Sequence, residues 1–399
     1  MRGPTAGLIV ASEEADHGVV LRAELPLAGQ TVLEHQARLL AEAGVAPIIV
    51  LAEQPAPGLI AAADRLRRDG VPVELARTAP EAAQRIGGEP RVLLVADGLV
   101  TEPAAVALML AAPGRAVLTL PPGADAAAHE LIDARARWGG LLITEPLLFR
   151  QTAEMLGEWD LSSTLLRQAI QSGAAQLPAE RAAPSPILAV VVDPATALEL
   201  EQALAERVVR RPAGLVDRFV SAPIARLAAP RAMAAMLDPQ WFRAGAVAVT
   251  AAAIAAMLAG WPGLGLGAIL WAGPLDTLGR FLAGISRRNR RDHRRWGRAR
   301  ELLSAAALAA LAWQLAAAGG TGTPVALAAA TLAALAAGET HRRWIGRPVQ
   351  PPLWLAEQDN LIWLLLPFAA LGWWTAGLAA QAALAFASLV MLQRLTARG

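Results

Sequence analysis

The pattern of apolar positions changes abruptly near Arg243. Before it, short apolar runs alternate with amphipathic stretches. The runs GLIVA (7–11), APIIVL (46–51), VPVEL (71–75), RVLLVADG (91–98), AVLTL (116–120) and ILAVVVD (187–193) are rich in β-formers and predict strands. Segments such as VLEHQARLLAEAG (32–44) place apolar residues at helical spacing. Strands alternating with helices predict an α/β domain with a largely parallel sheet covered on both faces. Ligands in such folds bind beyond the carboxyl ends of the strands. Asp97 and Asp193 close two of these runs, and aspartates so placed can share a divalent ion such as Mg²⁺ that holds a nucleotide triphosphate. Asp-Gly and Asp-Pro are also ordinary turn signals.

From Ala244 onward the pattern is different. Six apolar segments follow, at 244–260, 265–284, 302–318, 323–338, 360–375 and 377–393. Each is near the roughly 20 residues that cross about 30 Å of hydrocarbon. The expected organisation is a soluble domain at 1–208, a joining segment at 209–243 and an all-α, six-helix transmembrane domain at 244–399. Within the join, VDRFVSAPIARLAAPRAMAAML (216–237) mixes arginines with apolar residues. It reads either as an amphipathic helix lying in the membrane interface near anionic lipid or as a plain linker.

Charge adds an orientation. Arg287, Arg288, Arg290, Arg291, Arg294, Arg295, Arg298 and Arg300 lie between the second and third segments, and Arg342, Arg343 and Arg347 between the fourth and fifth. The alternate loops at 260–267, 317–324 and 372–377 carry no charge. The arginine-rich loops therefore share one side, expected to be cytoplasmic, together with both termini and the soluble domain. Ten of the twelve tryptophans lie beyond residue 240, many at segment ends, as an interfacial belt requires. The N-terminus has no charged region followed by a long apolar core, so no cleaved signal peptide is expected.

Composition narrows the chemistry further. The chain is 399 residues long and 55% hydrophobic, and its net charge of +2 gives no case for nucleic-acid binding. It has neither cysteine nor lysine, which excludes thiolate nucleophiles, cysteine-held metals, Schiff bases and a lysine clamp on phosphate. One acid, Asp276, lies inside an apolar segment, and Arg280 follows at i,i+4. A carboxylate there marks either a metal or substrate site or a local ion pair.

Several of these segments together resemble a known fusion. AGQTVLEHQARLLAEAGVAPIIVL (28–51), Asp97 at a strand end and the late Asp193 in VVVDPATALELEQAL (190–204) resemble a nucleotidyltransferase of the inositol-phosphate cytidylyltransferase type, with a Rossmann-like sheet. RRPAGLVDRFVSAPIAR (210–226) and EQDNLIWLLLPFAALGWWTAGLAAQAALAF (357–386) resemble the join and last two spans of a CDP-alcohol phosphatidyltransferase. The resemblance implies a bacterial inner-membrane homodimer that charges a phospho-alcohol with CTP and passes it to a lipid hydroxyl. It implies Mg²⁺ at Asp97 and Asp193, and again at Asp276 and Glu301.

The departures from both families are large. The glycine-rich phosphate loop is replaced by ASEEADHGVVLRAELP (11–26), with one glycine (Gly18) and the acids Glu13, Glu14 and Asp16. The lysine of the family's P-K-P-L-type segment has no counterpart, and Arg22 stands as a possible substitute for it. The membrane motif D-G-x-x-A-R reads DTLGRF (276–281), and G-x-x-x-D-x-x-x-D reads GRARELLSA (297–305), which puts Ala305 where the general base would stand. The arginines, Arg280, Arg287, Arg288, Arg294 and Arg295 among them, are suited to phosphate or lipid headgroups. Three expectations follow: a transferase of lipid headgroup synthesis with impaired or altered catalysis, a non-catalytic derivative that binds anionic lipid or a partner enzyme, and, with least support, a transporter.

Overall fold

The computed structural model describes residues 4–16, 20–123, 129–155, 160–207, 214–287, 290–345 and 352–397. The chain divides into two compact units, one formed by Met1–Val208 with Ile285–Arg288 and the other by the remainder.

The first unit runs β1 (Thr5–Val10), β2 (Pro26–Leu27), β3 (Gln30–Thr31), α1 (Val32–Glu42), β4 (Ile48–Leu51), α2 (Pro57–Arg68), β5 (Val73–Ala76), α3 (Ala79–Ile86), β6 (Arg91–Val95), β7 (Leu99–Thr101), α4 (Pro103–Ala111), β8 (Ala116–Leu120), β9 (Leu131–Asp133), β10 (Ala136–Thr144), α5 (Pro146–Met155), α6 (Leu161–Gln171), β11 (Ala175–Pro178), β12 (Leu188–Val190) and α7 (Pro194–Arg207). The main sheet has the order β11-β8-β10-β6-β1-β4-β5, with β9 paired to β10. Alternate residues of the central strands enter two separate cores. Ile9, Ile48, Val50, Leu93 and Val95 pack with α1, α2 and α4. Leu8, Val10, Ile49, Leu51, Val92 and Leu94 pack with α3, α5 and α6. Burial on both faces is why these strands read as unbroken apolar runs. Gly7 lets α1 approach β1, because a Cβ there would stand 2.9 Å from Leu40.

Two expectations change. The sheet is mixed: β1, β4, β5 and β6 are parallel, whereas β10 runs antiparallel to β6 and β8. The ILAVVVD run gives only the short β12, which pairs with β7 in a separate two-stranded ladder. Asp193 therefore does not close a strand of the main sheet.

The second unit is helical: α8 (Ala222–Ala234), α9 (Pro239–Leu258), α10 (Pro262–Ser286), α11 (Arg290–Gly319), α12 (Thr323–Ile345), α13 (Gln358–Ala370) and α14 (Trp374–Ala397), with a π-helical turn at Asp217–Ser221 ahead of α8. Ala246, Ala253, Met257, Leu266, Ile269, Ala307, Leu311, Leu365 and Leu378 form its main core. Small residues allow close helix contact. At Gly265 of α10, a Cβ would lie 2.8 Å from the Ala253 carbonyl of α9.

All six apolar segments fall on helices, and among the described residues four stretches are both long and apolar enough to cross a membrane: Pro239–Leu258, Arg295–Gly319, Thr323–Ile345 and Trp374–Thr396. Four of the six expected spans are supported by length and composition. Helix α10 is diluted by glycines, Pro274, Asp276 and Arg280. Helix α13 has 13 residues, which at ~1.5 Å per residue is well short of the bilayer core.

Candidate functional site

The first candidate centre lies beyond the carboxyl end of β6, in the middle of the sheet. Asp97 is buried there, and its Oδ2 accepts hydrogen bonds from the backbone N–H groups of Ser12 and Glu13, each at 2.7 Å. Its Oδ1 accepts none among the described residues. Burial pushes the Asp97 carboxyl up to about 7; the two amides and Arg22 oppose that rise, and the Glu13 charge adds to it.

The loop after β1 folds back on itself. Ala15 N–H donates to Val20 O at 2.8 Å, and Arg22 N–H to Glu13 O at 2.9 Å. The Arg22 guanidinium pairs with the Glu13 carboxylate. Residues 17–19, Gly18 among them, lie outside the described residues. The Ser12 and Glu13 amides are thus turned onto a carboxylate of the protein itself.

Asp193 lies just before the first residue of α7. Its Oδ1 accepts the Thr196 N–H at 2.7 Å, as a cap at the start of α7 does. Among the described residues, no group of three or more His, Asp or Glu side chains is placed to hold a metal ion.

Gly98, next to Asp97, has φ +67°, and its carbonyl accepts a backbone hydrogen bond from the Val191 N–H. A Cβ there would lie 2.8 Å from the Val191 carbonyl. Gly98→Ala is expected to lower the stability of the first unit by about 1–3 kcal/mol, through strain at positive φ and this clash. Thermal unfolding measures it, and an unchanged midpoint would show that the ladder between β7 and β12 gives way freely.

A buried ionic group that sequence reasoning missed sits at the start of α1. Thr31 and Glu34 form a capping box, with Thr31 N–H donating to Glu34 at 2.9 Å and Glu34 N–H to Thr31 at 3.2 Å. Arg65 of α2 grips the same carboxylate with two hydrogen bonds, at 3.1 and 2.9 Å. Burial raises the Glu34 pKa, but Arg65, Arg38 and the cap outweigh it and hold the carboxyl below its ordinary value. The Thr-x-x-Glu spacing was the readable signal. Arg65, 31 residues away, was not.

The second candidate centre belongs to the helical unit. Asp276 of α10 is 3% exposed and meets three guanidinium groups. Arg243 Nε lies 3.1 Å from Oδ1, while Arg280 Nε and Arg300 NH1 each lie 3.1 Å from Oδ2. The other end of Arg300 pairs with Asp359 of α13. Thr277 Oγ1 donates to Asp217 at 3.2 Å and accepts from Arg280 at 3.1 Å. One polar group thus ties together the turn before α8 and helices α9, α10, α11 and α13. Glycines make room for it: a Cβ at Gly279 would lie 2.5 Å from Arg243 Cγ, and one at Gly273 would lie 3.1 Å from Asp359.

The expected Asp276–Arg280 pair is present, as part of this larger set. Glu301 is exposed, and Asp276 has Arg243, Arg280 and Arg300 as its charged neighbours in its place. Arg287 pairs with Glu42 at 2.9 Å, and Arg295 is exposed. Arg288 and the side chain of Arg294 lie outside the described residues.

The fold and these two centres define a chain of two parts, an α/β unit with a mixed sheet and a helical unit with membrane-spanning character. Solved structures similar over the first half are nucleotidyltransferases. One, assigned as a glucose-1-phosphate thymidylyltransferase from Bacillus anthracis and determined with sucrose, has a TM-score of 0.38 and 13% identity over 52% of this chain and 97% of its own. Another, the inositol-1-phosphate CTP transferase from T. maritima, has a TM-score of 0.39 and 11% identity over 53% of this chain and 99% of its own. No protein-family model and no curated protein matches the sequence.

Proposed function

We propose that this chain is a non-catalytic derivative of the phospholipid-headgroup fusion that it resembles, a membrane-embedded binding or scaffolding protein. The observation that carries this reading is the closure of Asp276 by Arg243, Arg280 and Arg300. A divalent cation at Asp276 would have to displace guanidinium groups already in contact with both carboxylate oxygens, against their positive charge. The donor set therefore does not fit Mg²⁺. The α/β unit supports the same reading. Asp97 is held by amides of the loop that should receive phosphate, and burial raises its pKa to about 7, so that it carries only part of a charge at neutral pH.

The test uses the full chain in lipid nanodiscs. Incubated with CTP, inositol phosphate or glycerol phosphate, and Mg²⁺ or Mn²⁺, it is expected to release no pyrophosphate above the protein-free rate. With a CDP-alcohol and lipid it is expected to release no CMP. Metal-dependent release that scales with protein and disappears in Asp97→Asn or Asp276→Asn would overturn the proposal.

A further inference from the structure

The strongest unassigned feature is the outward face of α8 and the turn before it. The inner face is settled by packing: Ala225, Ala229, Ala232 and Met233 are buried in the helical unit, as are Asp217 and Ser221. That fixes which residues point away. Phe219 is 66% exposed and Leu227 is 74% exposed, and beside them stand the exposed Arg218, Arg226 and Arg231. Arg218 lies over the Phe219 ring at 5.4 Å, so cation and ring form one amphipathic unit.

We propose that this face is a binding surface for anionic lipid headgroups. In water the arrangement is unfavourable, because two large apolar side chains stand open to solvent on a helix whose other side is already packed. At a membrane surface the same residues are satisfied together. Phe219 and Leu227 enter the boundary between headgroups and acyl chains, and the arginine stems lie along it with their guanidinium forks on lipid phosphates.

Chain geometry holds α8 at that depth. Only Ala235–Asp238 separates it from α9, a candidate span. Four residues reach at most about 14 Å, so α8 cannot leave the surface from which α9 enters the bilayer. Trp241, 74% exposed in the first turn of α9, marks the same interfacial level.

Charge selects the kind of lipid. The outward face carries three arginines and no acid. Asp217 points inward to Thr277, and Asp238 caps α9 by accepting the Gln240 N–H at 2.9 Å. Among the described residues, Arg218, Arg226 and Arg231 have no acidic partner. A zwitterionic surface would satisfy the apolar side chains but leave these charges unmatched. Lipid binding at this face does not require the chain to turn over a substrate.

The chain has no cysteine, so a single introduced thiol is the only labelling site. A spin label at Leu227→Cys is read in the full chain reconstituted into phosphatidylcholine vesicles with and without phosphatidylglycerol, with Ala252→Cys on α9 as a depth reference. The expected result is a label accessible to oxygen and shielded from a water-soluble nickel chelate, at headgroup depth, in the phosphatidylglycerol vesicles. Preference for phosphatidylglycerol, measured by displacement of spin-labelled lipid, should fall about fivefold for each of Arg218→Gln, Arg226→Gln and Arg231→Gln. An aqueous label at Leu227→Cys beside a deep one at Ala252→Cys would overturn the proposal. So would a label shielded from both reagents, which would indicate a protein partner, or an unchanged lipid preference in the triple glutamine variant.

Discussion

Arg300→Ala is expected to lower the stability of the helical unit by about 3–5 kcal/mol. The substitution removes a cation that, among the described residues, alone touches both Asp276 and Asp359, and it leaves both buried carboxylates without that partner. Arg243 and Arg280 remain beside Asp276, but Asp359 loses the guanidinium that binds it. Lysine should recover only part of the loss, because a single ammonium cannot fork between carboxylates on two helices. Arg300→Met combined with Asp276→Asn and Asp359→Asn should lie closer to wild type than Arg300→Ala, since no charge is then buried without a partner. Unfolding by SDS titration in mixed micelles, followed by circular dichroism, gives the ranking. Equal midpoints for Arg300→Ala and wild type would show that packing of small residues, and not this ionic bridge, holds α10, α11 and α13 together.

The second large effect concerns Asp97 and depends on pH. Its carboxyl ionises at about 7 in the fold, against an ordinary value of 3.8. Between those pH values the unfolded chain gives up the proton and the folded chain retains it. The contribution of Asp97 to stability is therefore fully present below about pH 4, falls as pH rises, and is lost once pH passes about 7. Asparagine removes the titration and can still accept the Ser12 and Glu13 amides. Asp97→Asn should thus stabilise the α/β unit by about 2–4 kcal/mol at pH 8 and have little effect at pH 4. Hydrogen exchange of β6 and β1, compared between the two proteins at each pH, reads this directly. A stabilisation that is the same at both pH values would exclude ionisation as the cause.

The sequence made the architecture more legible than the chemistry. Runs such as IIVL at 48–51 and RVLLV at 91–95 are readable because both faces of those strands are buried, so no polar residue interrupts them. Strand β10 was missed for the opposite reason. Its ARWGGLLIT carries Gly139 and Gly140 at an irregularity between Trp138 and Leu142, and glycines at such a point read as a loop. The ILAVVVD run looked like a sheet strand because Val191 is fully buried, but burial alone does not specify which strand it pairs with. At the second centre, Arg280 was predictable as the i,i+4 partner of Asp276 because helix geometry fixes that spacing. Arg243 and Arg300 stand 33 and 24 residues from Asp276, and Asp359 stands 59 from Arg300. Those distances are bridged only by the packing of helices, which no local pattern records. The same holds for Asp97, whose amide partners are 85 and 84 residues away.

The position of Arg300 between Asp276 and Asp359 has a consequence for how the bundle depends on its surroundings. A dissolved cation joining those carboxylates would come and go with its concentration outside. A guanidinium built into α11 is present from the moment the chain is made, at the effective concentration of an intramolecular partner. Its occupancy cannot be diluted or competed away by the ionic medium. The helices around it are therefore pinned by a counter-ion that travels with the gene.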